Sequence, residues 1–422
     1  MLPRGPIALG TLRTSVVLGM RLAVQAGTLL LLAHLLGPSK FGALAAIVAL
    51  AVLHGVMATF GTHLSLLRDL SNDQALRDDA LPLALGTTAL CGAALLALYL
   101  TLSFAWLHNA FADPLVILCI GVAEILLQPY VLVAAMERHA RGQIAGSQLL
   151  LASPQLLRLL ACAGIWWAGT DTPLQAYAIG HLLAVAVVLA ATVLALPQPW
   201  PPPAHWRLPD RRQWRENSGY AVMGLSGTGP GELDKALAAH LLPLGLAGIY
   251  AAASRVVGAL VIPVVAVVLS AMPRLFREAG GSGAALQKRL LAAATVYGLL
   301  AAIGVWLSAP LVDWLFGPEY AGIGQTVRWL AFAIPGMALR FATMNVLTTV
   351  NLPWTRIAIE ASGLALLAAL AWWGTQAYSQ FGFVVAVGIG EWSIAILGLG
   401  VILTMGGHAT SPSPNSGVVP HE

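Results

Sequence analysis

The chain has 422 residues, 58% of them hydrophobic and only 9% charged, whereas roughly a quarter of a soluble domain is charged. Its net charge of +4 is scattered between apolar runs instead of forming a patch, which argues against a nucleic-acid partner. A water-soluble monomer is excluded, because the apolar runs reach the about 20 residues that a helix needs to cross roughly 30 Å of hydrocarbon.

The expected fold class is therefore all-α: a polytopic membrane protein of about twelve transmembrane helices. Arg4 and Arg13 precede an apolar stretch that continues to about Leu36. That is longer than the roughly 7 to 15 residue core of a signal peptide, so an uncleaved first helix is expected. The predicted spans are 12–36, 42–65, 80–106, 112–136, 144–168, 173–196, 217–243, 246–272, 286–310, 323–349, 353–375 and 381–405. With the N-terminus inside, fifteen Lys and Arg fall in inner segments or at inner helix ends, and only Lys40 falls outside. This bias follows the positive-inside rule and predicts that both termini are cytoplasmic. Trp106, Trp166, Trp167 and Trp314 fall near outer ends, and Trp200, Trp206, Trp214 and Trp354 near inner ends, where indole prefers the interface.

The predicted organisation is a six-helix bundle over 1–196, a linker over 197–216, a second six-helix bundle over 217–405 and a polar tail over 406–422. The linker contains Pro-Gln-Pro-Trp-Pro-Pro-Pro followed by four Arg, a stiff and basic cytoplasmic connection. The tail, with Thr-Ser-Pro-Ser-Pro-Asn-Ser-Gly, is expected to be disordered. The halves echo each other: His34-Leu35-Leu36 with Phe41-Gly42-Ala43-Leu44-Ala45-Ala46 aligns on His240-Leu241-Leu242 with Ala247-Gly248-Ile249-Tyr250-Ala251-Ala252, at an offset of 206. With six spans in each half the copies share one orientation, a parallel repeat; chance similarity between two Ala/Leu/Gly-rich hairpins is the alternative.

No metal, cofactor or enzyme site is expected. Cys91, Cys119 and Cys162 are far apart within apolar runs and lack Cys-x-x-Cys spacing, so they read as small buried hydrophobes. His34, His54, His63, His181 and His240 do not form a ligand spacing such as His-x-x-x-His, and no Ser/His/Asp grouping stands out.

Arg21, Arg158, Lys235, Arg255, Arg328 and Arg340 sit within predicted spans, where a basic residue at a helix centre costs about 2.5 to 3.5 kcal/mol on insertion scales. Arg21, Lys235 and Arg255 fall roughly 12 to 14 Å from the nearer helix end, close to the midplane. Two readings account for such charges. They either line a cationic route for an anionic headgroup or pair with buried acids and hold helices together. Glu232 precedes Lys235 by three residues and Arg356 precedes Glu360 by four, so both can pair on one helical face, and for Arg356 pairing is favoured. Arg21 and Arg255 have no acid at that spacing, which favours the route, and Gln25 shares the face of Arg21. The candidate substrate-binding residues are accordingly Arg21, Gln25, Arg158, Lys235, Arg255 and Arg340. Glu124, Asp234, Glu360 and Glu391 are candidates to load a proton or sodium ion as the coupling ion, with structural ion pairing as the alternative for each.

Asp234 lies in the most irregular predicted helix, which holds Gly224, Gly227, Gly229, Pro230 and Gly231 just before Glu232. That spacing predicts an interruption near mid-membrane. A phosphate loop is the weaker reading, since Gly-x-x-x-x-Gly-Lys-Ser/Thr is absent.

Around Leu35-Leu36-Gly37-Pro38-Ser39-Lys40-Phe41-Gly42 the chain resembles the polysaccharide flippases of the multidrug/oligosaccharidyl-lipid/polysaccharide exporter superfamily, whose first hairpin has a similar Leu-Gly-Pro-x-x-Phe-Gly turn. Three other segments look like the eighth-helix entry, its exit and the turn before the tenth helix of that family: Ala247-Gly248-Ile249-Tyr250-Ala251-Ala252-Ala253-Ser254-Arg255, Pro273-Arg274-Leu275-Phe276-Arg277 and Leu315-Phe316-Gly317-Pro318-Glu319-Tyr320. The resemblance implies two six-helix bundles around a central cleft, alternating access, the bacterial inner membrane, and an undecaprenyl-pyrophosphate-linked oligosaccharide as substrate among the membrane lipids. An integral-membrane polymerase or ligase acting on the same sugars and a drug/ion antiporter are the competing functions.

Overall fold

The computed structural model describes residues 6–106, 113–196, 198–277, 283–350 and 352–408. The polar tail beyond 408, Arg4, and the side chains of Arg13, Pro273, Arg274, Phe276 and Arg277 lie outside the described residues. Among the described residues the regular structure is helical, with no strand. In chain order the helices are α1 (Pro6–Ala58), α2 (Thr62–Asn72), α3 (Arg77–Trp106), α4 (Pro114–Gly121), α5 (Gln128–Ala140), α6 (Ile144–Ala168), α7 (Pro173–Leu194), α8 (Arg211–Leu241), α9 (Leu244–Ala259), α10 (Ile262–Arg277), α11 (Gly283–Phe316), α12 (Ile323–Ala331), α13 (Ile334–Thr349) and α14 (Pro353–His408). A π-helical turn over Val122–Leu127 joins α4 to α5.

Eight stretches among the described residues are long and apolar enough to cross a membrane, and the pair α12 and α13, bent by 47°, adds a ninth. Two of the eight each contain two spans. Gly37 divides α1 with φ 67° and ψ 169°, a region open essentially only to glycine. Ser379 divides α14 with φ 52° and ψ −131°. The second division is a reversal. Gly374 and Gly382 pack backbone to backbone, Gly363 meets Ile394, and Gly390 meets Leu367. Each pair sums to nearly the same number, as only antiparallel halves allow. α8 supplies the remaining span, its apolar residues diluted by Gly, Ser and the charges of Glu232, Asp234 and Lys235. The described helices thus account for the twelve expected spans.

The surface agrees with a lipid solvent. Along α11, Val296, Leu299, Leu300, Ile303, Leu307, Leu311 and Trp314 are exposed at helical spacing on one face, a stripe of about 27 Å that matches the hydrocarbon thickness.

The seventh expected span is not interrupted. α8 runs unbroken from Arg211 to Leu241 with Pro230 inside it. Pro removes one backbone donor, and in spanning helices neighbouring groups absorb that loss. The helix packs along α1, where Gly224 lies against Val56, and the turn that follows α1 meets its first half, with Phe60 edge-on to Trp214 at 4.6 Å.

The chain divides into two compact units, Met1–Ala253 with Leu311–Gly324 and Ser254–Pro310 with Gln325–Glu422. Within the first unit α8 packs on α1. The linker itself is docked. Arg77 donates to the carbonyl of Gln198 at 3.1 Å, the Arg207 N–H donates to the Pro82 carbonyl at 3.2 Å, and Trp206 lies 5.9 Å from Tyr130.

Within the first unit the echoing segments meet. A Cβ on Gly248 would strike the Pro38 carbonyl, and one on Gly42 would strike the Leu244 carbonyl and Gly248. The offset of 206 carries Pro38 onto Leu244 and Gly42 onto Gly248, so each contact is the image of the other. Reciprocity of this kind is the mark of a two-fold relation. The turn at Gly317, with φ 76° and ψ −176°, repeats the backbone of Gly37, and its Tyr320 donates to the Ala33 carbonyl at 3.3 Å.

The second unit is held by a core of Val264, Val268, Leu290, Leu291, Ala294, Ala338, Ala342 and Val346.

Candidate functional site

Most of the ionisable groups expected within spans are gathered by the fold into acid–base clusters. The first lies where the π-helical turn faces α6 and α7. One oxygen of Glu124, Oε1, accepts from Arg158 Nη2 and from His181 Nε2, each at 2.8 Å. Counting from the helix ends, all three residues sit about 12 to 15 Å deep. π-Helical turns widen a helix locally and recur at functional sites; this one lies where Glu124 faces two partners. Gln128 and Gln155, one helical turn from Glu124 and Arg158 respectively, each hold a buried Oε1 without a hydrogen-bond partner among the described residues, as does Arg158 Nε.

The second cluster is on α8. Asp234 accepts the Tyr250 hydroxyl hydrogen at 2.5 Å. The Lys235 ammonium lies 3.5 Å from Glu232 and 3.7 Å from Asp234, and it donates to the Gly231 carbonyl. Both Asp234 and Lys235 are buried.

Two clusters belong to the second unit. Arg340 of α13 pairs with Glu391 of α14, Nε to Oε2, at 2.5 Å. Arg356 pairs with Glu360 at 3.4 Å and donates to Thr348 Oγ1 at 3.0 Å. Arg328 lies 5.5 Å over the Trp306 ring, a cation–π contact that offsets part of its desolvation.

Of the substrate-binding candidates, Arg158, Lys235 and Arg340 are therefore held by carboxylates. Arg21 is half-buried on α1 with no ion pair or hydrogen bond among the described residues, and Gln25, one turn on, is exposed. Arg255 is half-buried on α9. His181 received no role from spacing, yet it shares Glu124 with Arg158, and its helix lies 57 residues along the chain from that acid. No local signal announces such a partner.

At the basic end of the first unit Glu137, 1% exposed, accepts from Arg77 and Arg141 at 2.7 Å each and from Trp200 at 3.3 Å. On the exposed first turns of α8, the hydrogen bond from Arg212 to Glu216 holds that guanidinium above its usual pKa. Among the described residues no group of His, Cys, Asp and Glu is arranged to hold a metal ion.

Among solved structures the fold is similar to an inward-facing multidrug resistance MATE family transporter of the MOP superfamily, with TM-score 0.72, 14% identity, and coverage of 93% of this chain and 96% of that one. It is also similar to the lipid II flippase MurJ in an inward closed conformation, with TM-score 0.72, 11% identity and coverage of 92% and 87%. A MOP superfamily transporter from Pyrococcus furiosus gives TM-score 0.65, 14% identity and coverage of 95% and 96%. No curated protein matches the sequence. The polysaccharide biosynthesis protein family matches residues 31–325, most of the chain. A twelve-span helical protein with a MOP transporter fold, carrying buried ion clusters within its spans, the chain belongs to the polysaccharide biosynthesis protein family.

Proposed function

We propose that this protein is a flippase that moves an undecaprenyl-pyrophosphate-linked oligosaccharide from the inner to the outer leaflet of a bacterial inner membrane by alternating access. The observation that carries the reading is the set of cations inside the spans of a polysaccharide biosynthesis protein. A pyrophosphate cannot cross bare hydrocarbon, whereas guanidinium forks replace its water. A solved protein with this fold is itself named as a lipid flippase.

In this reading Arg21, Gln25, Arg158, Lys235, Arg255 and Arg340 meet the headgroup, and Arg158, Lys235 and Arg340 do so by exchanging carboxylate for phosphate. Asp234, Glu124, Glu360 and Glu391 then hold the coupling ion, a proton or sodium, while their cations are engaged elsewhere. Both termini are cytoplasmic.

The test is reconstitution. Vesicles containing the purified protein move a fluorescent undecaprenyl-pyrophosphate oligosaccharide between leaflets, and Arg255→Ala abolishes the movement while leaving the protein folded. Absence of translocation by the wild type under any ion gradient refutes the reading. Longer glycans among the products would indicate a polymerase instead. The likeness to multidrug resistance transporters gives a second reading, a drug/ion antiporter, and sensitisation of cells to cationic drugs on loss of the protein would favour it.

A further inference from the structure

We propose that His181 is a proton-binding group, and that its protonation frees Arg158 from Glu124 to take an anion. The second half of this statement rests on the flippase reading; the first does not.

The geometry is a competition for one atom. Glu124 Oε1 accepts from Arg158 Nη2 and from His181 Nε2 at the same 2.8 Å. A neutral imidazole offers that oxygen only a dipole, so Arg158 supplies the countercharge. An imidazolium offers a full charge. Two cations on one carboxylate oxygen repel, strongly where dielectric screening is weak, and the hold on Arg158 weakens. A second acceptor stands ready, because Gln155 lies three residues before Arg158 on the same face and its Oε1 is buried and unpartnered among the described residues.

Charge counting gives the same result. With His181 neutral the three groups sum to zero, and with His181 protonated they carry one net positive charge. A singly charged phosphodiester restores neutrality, and one of the two charges of a pyrophosphate diester is offset. Proton and anion therefore favour each other's binding, and the coupling is reciprocal.

Other titratable and charged groups lie on the elements that surround the site. Tyr177 of its own helix meets it edge-on at 5.8 Å. Tyr99 of α3 lies 5.9 Å from His54 of α1. Cys119 and Cys162 lie buried on α4 and α6. Arg21 of α1 sits within two turns of Gly27, whose nearest neighbour is Leu159. Glu137, Arg138, His139 and Arg141 of α5 lie roughly 20 Å or more further along the helix from Glu124. Glu124 touches His181 directly, and Arg158 shares the same carboxylate oxygen.

The deciding experiment follows the histidine nitrogens of the full-length protein by 15N NMR in lipid nanodiscs, with His181→Gln identifying the signal. The signal is followed between about pH 5 and 8, the range in which an unperturbed imidazole changes charge. Glu124→Gln removes the attracting charge and lowers the midpoint by about one unit or more, while Arg158→Gln removes the competing charge and raises it by a similar amount. Where Arg158→Gln does not fold, Arg158→Lys withdraws the charge from Glu124 without deleting it and carries the same upward shift. A signal that never titrates over this range, or that moves in the same direction in both variants, overturns the proposal. A second arm separates it from the flippase reading. In vesicles, wild-type flipping that ignores a proton gradient removes the coupling and leaves the flippase reading standing. No flipping at all removes that reading, and the titration still decides the proton site.

Discussion

At the scale of single residues, ion pairs divide by how far apart in the chain their partners lie. Lys235 with Glu232 and Arg356 with Glu360 are three and four residues apart, so helical spacing alone exposed them. Arg158 with Glu124 and Arg340 with Glu391 are 34 and 51 residues apart, and only the packing of separate helices joins them. Glu137 combines both cases, with Arg141 four residues on and Arg77 and Trp200 from distant segments. Its carboxylate is almost fully buried and ties Arg77, Arg141 and Trp200 together. Replacing it strands two guanidinium groups, one of them 11% exposed, and an uncompensated buried charge is expensive. Glu137→Gln is expected to destabilise the protein by roughly 3 kcal/mol, read as a lowered midpoint of thermal unfolding in detergent. An unchanged midpoint would show that water already screens the cluster.

At the scale of elements, apolar run length gave the helices and their number, because hydrocarbon thickness sets a minimum that chance rarely meets twelve times. Composition misled over α8. Its glycines and Pro230 argue for a break in isolation, but the helix, packed along α1, runs continuously through them. Glycines that do carry structure are those where backbones touch. Gly248 lies against the Pro38 carbonyl, whereas a methyl added at Gly245, three residues earlier, would meet only the Ser39 hydroxyl, at 3.5 Å. Gly248→Ala is therefore expected to cost roughly 3 kcal/mol or more, since backbone cannot yield as a side chain can. Gly245→Ala is expected to be tolerated. Size-exclusion profiles of the two purified variants check this: a monodisperse Gly248→Ala protein of wild-type stability would mean that the turns of the two repeats separate without loss.

At the scale of the whole molecule, the direction of transport depends on which end of the helices faces the cytoplasm. Charge gives the expectation before any packing forms: positive segments favour the cytoplasmic side, and of the Lys and Arg outside the predicted spans only Lys40 is expected on the opposite side. On the same expectation the docked linker, with Arg207, Arg211, Arg212 and Arg215, is inside. Single cysteines introduced by Lys40→Cys, Asp171→Cys and Arg211→Cys test it, because all three positions are exposed. The native Cys91, Cys119 and Cys162 are first replaced by Ala. A membrane-impermeant maleimide applied to intact cells is expected to label the cysteines at 40 and 171 and to reach that at 211 only after permeabilisation. The reverse pattern would invert the molecule. Headgroups entering at the basic end would then start from the outer leaflet, and the proposed route from cytoplasmic synthesis to the cell exterior would lose its direction.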